Sequence, residues 1–270
     1  MKTILLDGCS FVAGDAIAWD IFKPEQSWKS FLMSEKAEWT EEFAKTKTDY
    51  VSFRKLHNLG GQLGKITGAK IIDLAIDGSA NRYTAMRVIS HLSRLPSDER
   101  KNYHVCIGWS GFRRYYKWAK AVNRYVTLHH ITANNSHALT DIHKELGEYL
   151  NSLLLYNYDT DLVLNYVCDI MFLENFLIAN DVTYTFWRSI GDEVVPHVAN
   201  EATCQVGNKG EFTDHKRWLT LVEGEVAWRG STWHNLLTPN DFVYDNNQHP
   251  NLSAATKMAT LISTHIQPLL

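Results

Sequence analysis

The chain has 270 residues, 45% of them apolar, with 27 basic and 30 acidic side chains and a formal net charge of −3. That length and apolar share suit one large α/β core, and a charge this balanced carries no overall electrostatic footprint for nucleic acid or an anionic membrane. Cys9, Cys106, Cys168 and Cys204 stand far apart with no CxxC pair, which argues against a zinc site and for free thiols in a reducing cytoplasm.

The opening MKTILLDGCS has one Lys and a short apolar run that Asp7 interrupts. It is too short for a secretory signal, and no run of about 18 apolar residues exists to span a bilayer. Residues 3–7 (TILLD) therefore read as a first buried strand, because their apolar residues are consecutive rather than alternating. Residues 15–50, with Trp19, Trp28 and Trp39 among charges, read as a loop with one or two short helices. Val51, Leu56, Leu59 and Leu63 recur at helical spacing, Gly60 and Gly61 interrupt the pattern, and Gly64 and Gly68 suit a helix end. A second buried strand follows at 69–77 (AKIIDLAID) and runs into Gly78-Ser79-Ala80-Asn81.

Residues 82–95 return to a helical period through Met86, Ile89, Leu92 and Leu95, and HVCIGWS at 104–110 reads as a third strand. Strand, helix, strand, helix, strand is the order of a parallel sheet with crossover helices. Residues 138–180 are mostly helical, VTYTFW at 182–187 is a fourth strand by its β-branched and aromatic content, and 188–235 has no clear pattern. FVYDNNQHPN at 242–251 reads as a loop, and 252–266 as a last helix. With no repeat and no linker, the expectation is a single domain, 1–270, with a helical insertion around 138–180.

Three strand ends carry small or polar residues: Gly8-Cys9-Ser10, Gly78-Ser79-Ala80-Asn81 and Gly108-Trp109-Ser110. Sites in open parallel sheets lie beyond the carboxyl ends of the strands. Small residues are also the ordinary chemistry of short loops, so each end alone says little. Near the other end of the chain, Asp245-Asn246-Asn247-Gln248-His249-Pro250 sets a His in a polar loop before the final helix. A Ser hydroxyl needs a base within reach, the base needs an orienting partner, and the oxyanion needs donors.

These blocks resemble the SGNH, or GDSL-like, hydrolases: GCSF at 8–11, LAIDGSAN at 74–81 and DNNQHP at 245–250. The GCSF opening, with GSxN and GWS after it, is most similar to a branch common among bacteriophage proteins. The blocks span most of the chain, although about 130 residues between them match nothing specific. The resemblance implies a three-layer αβα sandwich with a central parallel sheet of about five strands, and an esterase or O-acetyl esterase with no metal or organic cofactor. Its substrate would be a small-molecule or carbohydrate ester.

By the same resemblance Ser10 is the nucleophile and His249 its base, and the Ser10 and Gly78 N–H groups form part of the oxyanion hole. The family's third donor, an Asn after the third strand, is absent from Gly108-Trp109-Ser110-Gly111. Asn81 is its candidate substitute, or else a cap of the helix it opens. The family's acid stands three residues before the His, where this chain has Asn246; the acid is Asp245, one residue earlier. Either the loop bulges to bring Asp245 to the imidazole, or Ser10 and His249 form a dyad in which a backbone carbonyl orients the ring; Asp245 is the expected partner, because an ionised group makes the stronger hydrogen bond. The two departures leave a second expectation open, a binding or virion-associated module that has lost activity.

Cys9 reads as small filler at a strand end rather than a nucleophile. Ser110 and Arg113 are further candidates for contact with substrate; Arg113 and Arg114 can pair with an acidic group or stay solvated. His129, His130, His137 and His143 find no carboxylate cluster to complete a metal site. Trp218, Trp228 and Trp233 suit a core or a subunit interface better than a sugar-binding face, which leaves a homo-oligomer open.

Overall fold

The computed structural model describes residues 2–14, 17, 50–76, 78–112, 114–119, 124–128, 159–190, 202, 212–221, 228, 232–243 and 249–270. In chain order these form β1 (Thr3–Gly8), α1 (Ser10–Ala13), α2 (Tyr50–His57), α3 (Leu59–Thr67), β2 (Ile71–Asp73), α4 (Asn81–Ser93), α5 (Ser97–Arg100) and β3 (Tyr103–Trp109). There follow the hairpin strands β4 (Tyr115–Ala119) and β5 (Arg124–Leu128), then α6 (Asp159–Ala179) and β6 (Thr183–Arg188). The chain closes with α7 (Trp233–Leu236), β7 (Phe242–Val243), β8 (His249–Pro250) and α8 (Leu252–Ile266).

β1, β2, β3 and β6 form a parallel sheet in the order β2-β1-β3-β6. β1 and β3 carry continuous apolar runs because both faces are covered. On one face Leu5, Val105, Ile107, Trp109, Tyr184 and Phe186 pack under α4 and α6. On the other, Ile4, Leu6, Cys106 and Trp187 pack under α1, α3 and α8. The result is three layers, helix–sheet–helix, with a core on each side. Burial of each Leu, Ile, Val or Phe side chain stabilises by about 1.5–3 kcal/mol. Four strands of the expected five lie among the described residues.

The second strand is shorter than the apolar run suggested. The Asp73 carboxylate accepts from the Ala75 N–H at 3.0 Å and ends the regular ladder after three residues. The chain nevertheless keeps contact with β1, through Leu74 N–H to Leu6 O at 2.8 Å and Ile76 N–H to Gly8 O at 3.2 Å. The helical period at 51–64 resolves into two helices. Asn58 starts the second by accepting from the Gly61 N–H at 3.0 Å, and its amide also donates to Ala13 O at 3.2 Å and Asp73 Oδ2 at 2.6 Å. Gly61 is required at this junction, since a Cβ there would lie 2.2 Å from Leu56 O.

α6 covers the described half of the stretch expected as an insertion, and it lies against α4 and the sheet as the crossover into β6. It is the one helix among the described residues long and apolar enough to cross a membrane. Here its apolar side is core, and its buried acids are partnered. Glu174 accepts from Tyr184 OH at 2.7 Å, Thr213 Oγ1 at 2.8 Å and the Asp214 N–H at 3.1 Å, while Asp169 pairs with Arg82. Trp218, Trp228 and Trp233 are buried in the two cores. The remainder of 138–158 lies outside the described residues, as do His129, His130, His137 and His143.

Candidate active site

In the order β2-β1-β3-β6 the chain leaves β1 for β2 on one side and returns to β3 on the other. The carboxyl ends of β1 and β3 flank the crevice at this reversal, where ligands bind in doubly wound sheets. Gly8 and Gly108 face each other there in register. A Cβ on Gly8 would meet Val12 Cγ2 at 2.5 Å and Gly108 O at 2.9 Å, and one on Gly108 would meet Ser189 Oγ at 2.2 Å and Val12 Cγ2 at 2.6 Å. The two glycines let α1 lie directly on the strand ends.

Ser10 opens α1, after Cys9 in extended conformation, and the helix closes at Gly14 in left-handed conformation (φ 79°). Ser10 is 5% exposed and Cys9 is fully buried, so Cys9 fills the strand end. Among the described residues Ser10 Oγ makes no hydrogen bond. His249 reaches the same helix from the far end of the sequence. Its ring lies 5.4 Å from that of Phe11, tilted by 44°, and Phe11 in turn meets Trp233 at 6.3 Å, edge to face.

A polar hub sets the position of His249. Val243 pairs with His249 and Phe242 with Pro250, so the segment read as a loop carries a short hairpin pairing. Just before it, Asp241 accepts from Lys257 Nζ at 2.7 Å on both oxygens, from the Thr238 N–H and Oγ1 at 2.9 Å, and from Ser253 Oγ at 3.0 Å. Burial alone would raise the Asp241 carboxyl, but the Lys257 ammonium and the Thr238 and Ser253 donors outweigh it and hold the group at about 2. Asn251 then caps α8 through Ala254 N–H at 3.0 Å.

The second strand end lies beside the first through the Ile76–Gly8 bond. Gly78 has φ +69°, and a Cβ added there would meet nothing within 4 Å, so its left-handed backbone, not crowding, calls for glycine. Asn81 does not cap its own helix. Its Oδ1 accepts from the Ser110 N–H at 2.8 Å, and its Nδ2 donates to Ser110 O at 3.2 Å and Gly111 O at 3.3 Å. Its amide therefore ties the second loop to the third. Ser110 Oγ, held by that tie, is buried without a hydrogen-bond partner among the described residues, as are Ser189 Oγ and Trp187 Nε1 at the end of β6. Asp245, Asn246 and Arg113 lie outside the described residues.

A buried ion pair, not among the expected site residues, lies beneath this crevice. Asp7 is fully buried and pairs with Arg87 of α4, whose Nε donates to Asp7 Oδ2 at 3.0 Å and whose Nη2 meets Oδ1. Burial pushes the Asp7 carboxyl up to about 7, against the pull of Arg87. The signal in the sequence is an acid closing an otherwise apolar strand, which requires a cation or donors from elsewhere. Among the described residues no group of three or more His, Cys, Asp or Glu is placed to hold a metal ion.

These features define a doubly wound three-layer α/β protein with a serine at its switch point. No family model matches the sequence, and no curated protein matches it either. The solved structures to which this chain is similar, at low similarity, include two hydrolases. One is a psychrotrophic esterase, EstA, from Pseudoalteromonas sp., at 12% identity and TM-score 0.41, covering 100% of this chain and 98% of that one. The other is a GDSL-like lipase from Bacteroides thetaiotaomicron, at 12% identity and TM-score 0.40, covering 100% of this chain and 89% of that one.

Proposed function

We propose that the protein is a serine ester hydrolase of the SGNH type, acting on an ester such as an O-acetyl group on a carbohydrate. The observation that supports this reading is the meeting of four sequence blocks: the Gly8, Gly78 and Gly108 loops at one switch point, and His249 packed on the helix that Ser10 opens. Ser10 Oγ attacks the ester carbonyl while His249 takes its proton. The Ser10 and Gly78 N–H groups hold the oxyanion. Asn81 is committed to its tie, so the Ser110 hydroxyl, without a partner among the described residues, is the third donor in this reading.

His249 then protonates the departing alcohol and expels it, leaving an acyl-Ser10. Water, deprotonated by His249, attacks the acyl carbon and releases the acid, and the proton returns to Ser10. In this reading Asp245 is the acid of the triad and Arg113 a substrate-binding residue. A Ser10 hydroxyl not yet engaged by its base fits this scheme, because catalytic hydrogen bonds in unliganded enzymes are often long and tighten with substrate.

The test is labelling by a fluorophosphonate probe in wild type, Ser10→Ala and His249→Ala. Labelling of wild type alone is the expected result. Labelling that persists in Ser10→Ala would overturn the nucleophile. A wild type that never labels would favour the binding-module alternative.

A further inference from the structure

We propose that Arg87 is a positioning residue, which clamps the nucleophile turn to the loop of Gly78. This rests on the reading of Ser10 as nucleophile. One guanidinium serves both loops. Toward the first strand it grips both Asp7 oxygens, with Nη2 also 3.5 Å from Gly8 O. Toward the second loop Nη1 donates to Ser79 Oγ at 3.0 Å, next to Gly78. Asp7 completes the clamp by accepting from the Gly8 N–H at 2.6 Å, which fixes the peptide two residues before Ser10.

The fork itself is held from two sides. Tyr83 places its ring 4.4 Å from the guanidinium carbon, and Thr84 Oγ1 lies 3.4 Å from Nη2. Arg87 differs in this from its neighbour on α4. The Arg82 side chain is 49% exposed where it meets Asp169, whereas that of Arg87 is 11% exposed over a carboxylate with no exposure at all. A buried ion pair seldom stabilises more than apolar residues of similar volume would. What it does supply is fixed geometry, since a planar fork can hold two acceptors at set angles and an ammonium cannot.

The clamp spans the two loops that furnish the proposed oxyanion donors, so its loss would move one donor relative to the other. A displacement of about 1 Å at such a site can cost about 100-fold in rate. Arg87→Lys keeps the charge and loses the fork, so it separates geometry from folding.

The experiment measures two things in wild type, Arg87→Lys, Arg87→Met and Asp7→Asn. The first is hydrolysis of p-nitrophenyl acetate. The expected result for Arg87→Lys is a kcat at least about tenfold lower with KM changed less than about twofold, and partial recovery of Arg87→Met by added guanidinium ion. The second is hydrogen exchange at the Gly8, Ile76 and Ser79 amides, which needs no activity. These three should lose protection in Arg87→Lys while the β3 and β6 amides keep theirs. Unchanged exchange at the three amides would overturn the clamp. Faster exchange with an unchanged kcat would overturn its role in positioning. A wild type without hydrolysis would refute the hydrolase reading, and exchange would still decide whether the clamp exists. If Arg87→Lys does not fold, Asp7→Asn carries the same two readouts.

Discussion

The ring of His249 rests 5.4 Å from the ring of Phe11, the residue that directly follows Ser10. The proposed base is thus seated on the helix of the proposed nucleophile through an aromatic contact. Phe11→Leu keeps an apolar group of similar reach and loses the ring. It should cost less than about 1.5 kcal/mol of stability by urea unfolding, while fluorophosphonate labelling of Ser10 slows by about tenfold as the imidazole loses its seat. A Phe11→Leu protein that labels at the wild-type rate would show that the hairpin alone positions His249.

Ser110 offers a test in which stability and activity part company. Its hydroxyl is buried without a partner among the described residues, so Ser110→Ala removes an unsatisfied group and should leave the thermal midpoint unchanged or higher. If that hydroxyl holds the oxyanion, kcat should fall by about 100-fold or more. Steady-state kinetics and a thermal melt of one variant decide it.

Asn81→Ala should do the reverse in part. It leaves the Ser110 N–H without its acceptor and frees the carbonyls of Ser110 and Gly111. Leaving such buried groups unpaired costs about 1–3 kcal/mol, readable by urea unfolding, and activity should fall with the loosened third loop.

The glycines separate crowding from backbone conformation. Gly108→Ala must push on Val12 and Ser189, and overpacking of this kind costs about 1–3 kcal/mol. It should also displace α1 and with it Ser10. Gly78→Ala meets no atom but keeps φ at +69°, at a cost of about 1–2 kcal/mol. Denaturant midpoints should fall for both, with labelling of Ser10 lost more completely in Gly108→Ala.

Two acids give pH limbs of opposite sign. Asp241 sits at about 2 in the fold against a usual 3.8, so its contribution is full above about pH 4 and is lost as pH falls through 2. Asp7 sits at about 7 against the same 3.8, so the fold binds its proton more tightly, and stability falls as pH rises from about 4 to 7. Thermal midpoints across pH should lose the acid limb in Asp241→Asn and flatten between 4 and 7 in Asp7→Asn.

What can be read from the sequence follows from what leaves a local trace. β1 and β3 are visible because burial on both faces makes Ile4-Leu5-Leu6 and Val105-Cys106-Ile107 continuous apolar runs, and β6 is visible from the β-branched and aromatic content of Thr183–Trp187. The final helix is visible from its period and matches Leu252–Ile266. The break at Asn58 is hidden, because a side-chain cap competes with periodicity only when its partner Asp73 is in place. α6 reads as an insertion, since a helix apolar on most sides does not say which sheet it covers. Of the site, the small residues at strand ends are legible, but the Asp7–Arg87 pair and the tie from Asn81 to Ser110 join residues far apart in the chain.

The seating of α8 against α3 bears on the order of assembly. β1 lies inside the sheet between parallel partners, and every one of its pairings is with a distant part of the chain. Such non-local pairing forms slowly. The residues that border the hairpin of His249, Asp241 and Asn251, bond each other and Lys257 and Ala254 of α8, so the hairpin is expected to take shape as α8 docks. During refolding from denaturant, recovered helix and sheet content should therefore precede recovered labelling by a fluorophosphonate: the sheet can be complete while the proposed nucleophile Ser10 still waits for the proposed base.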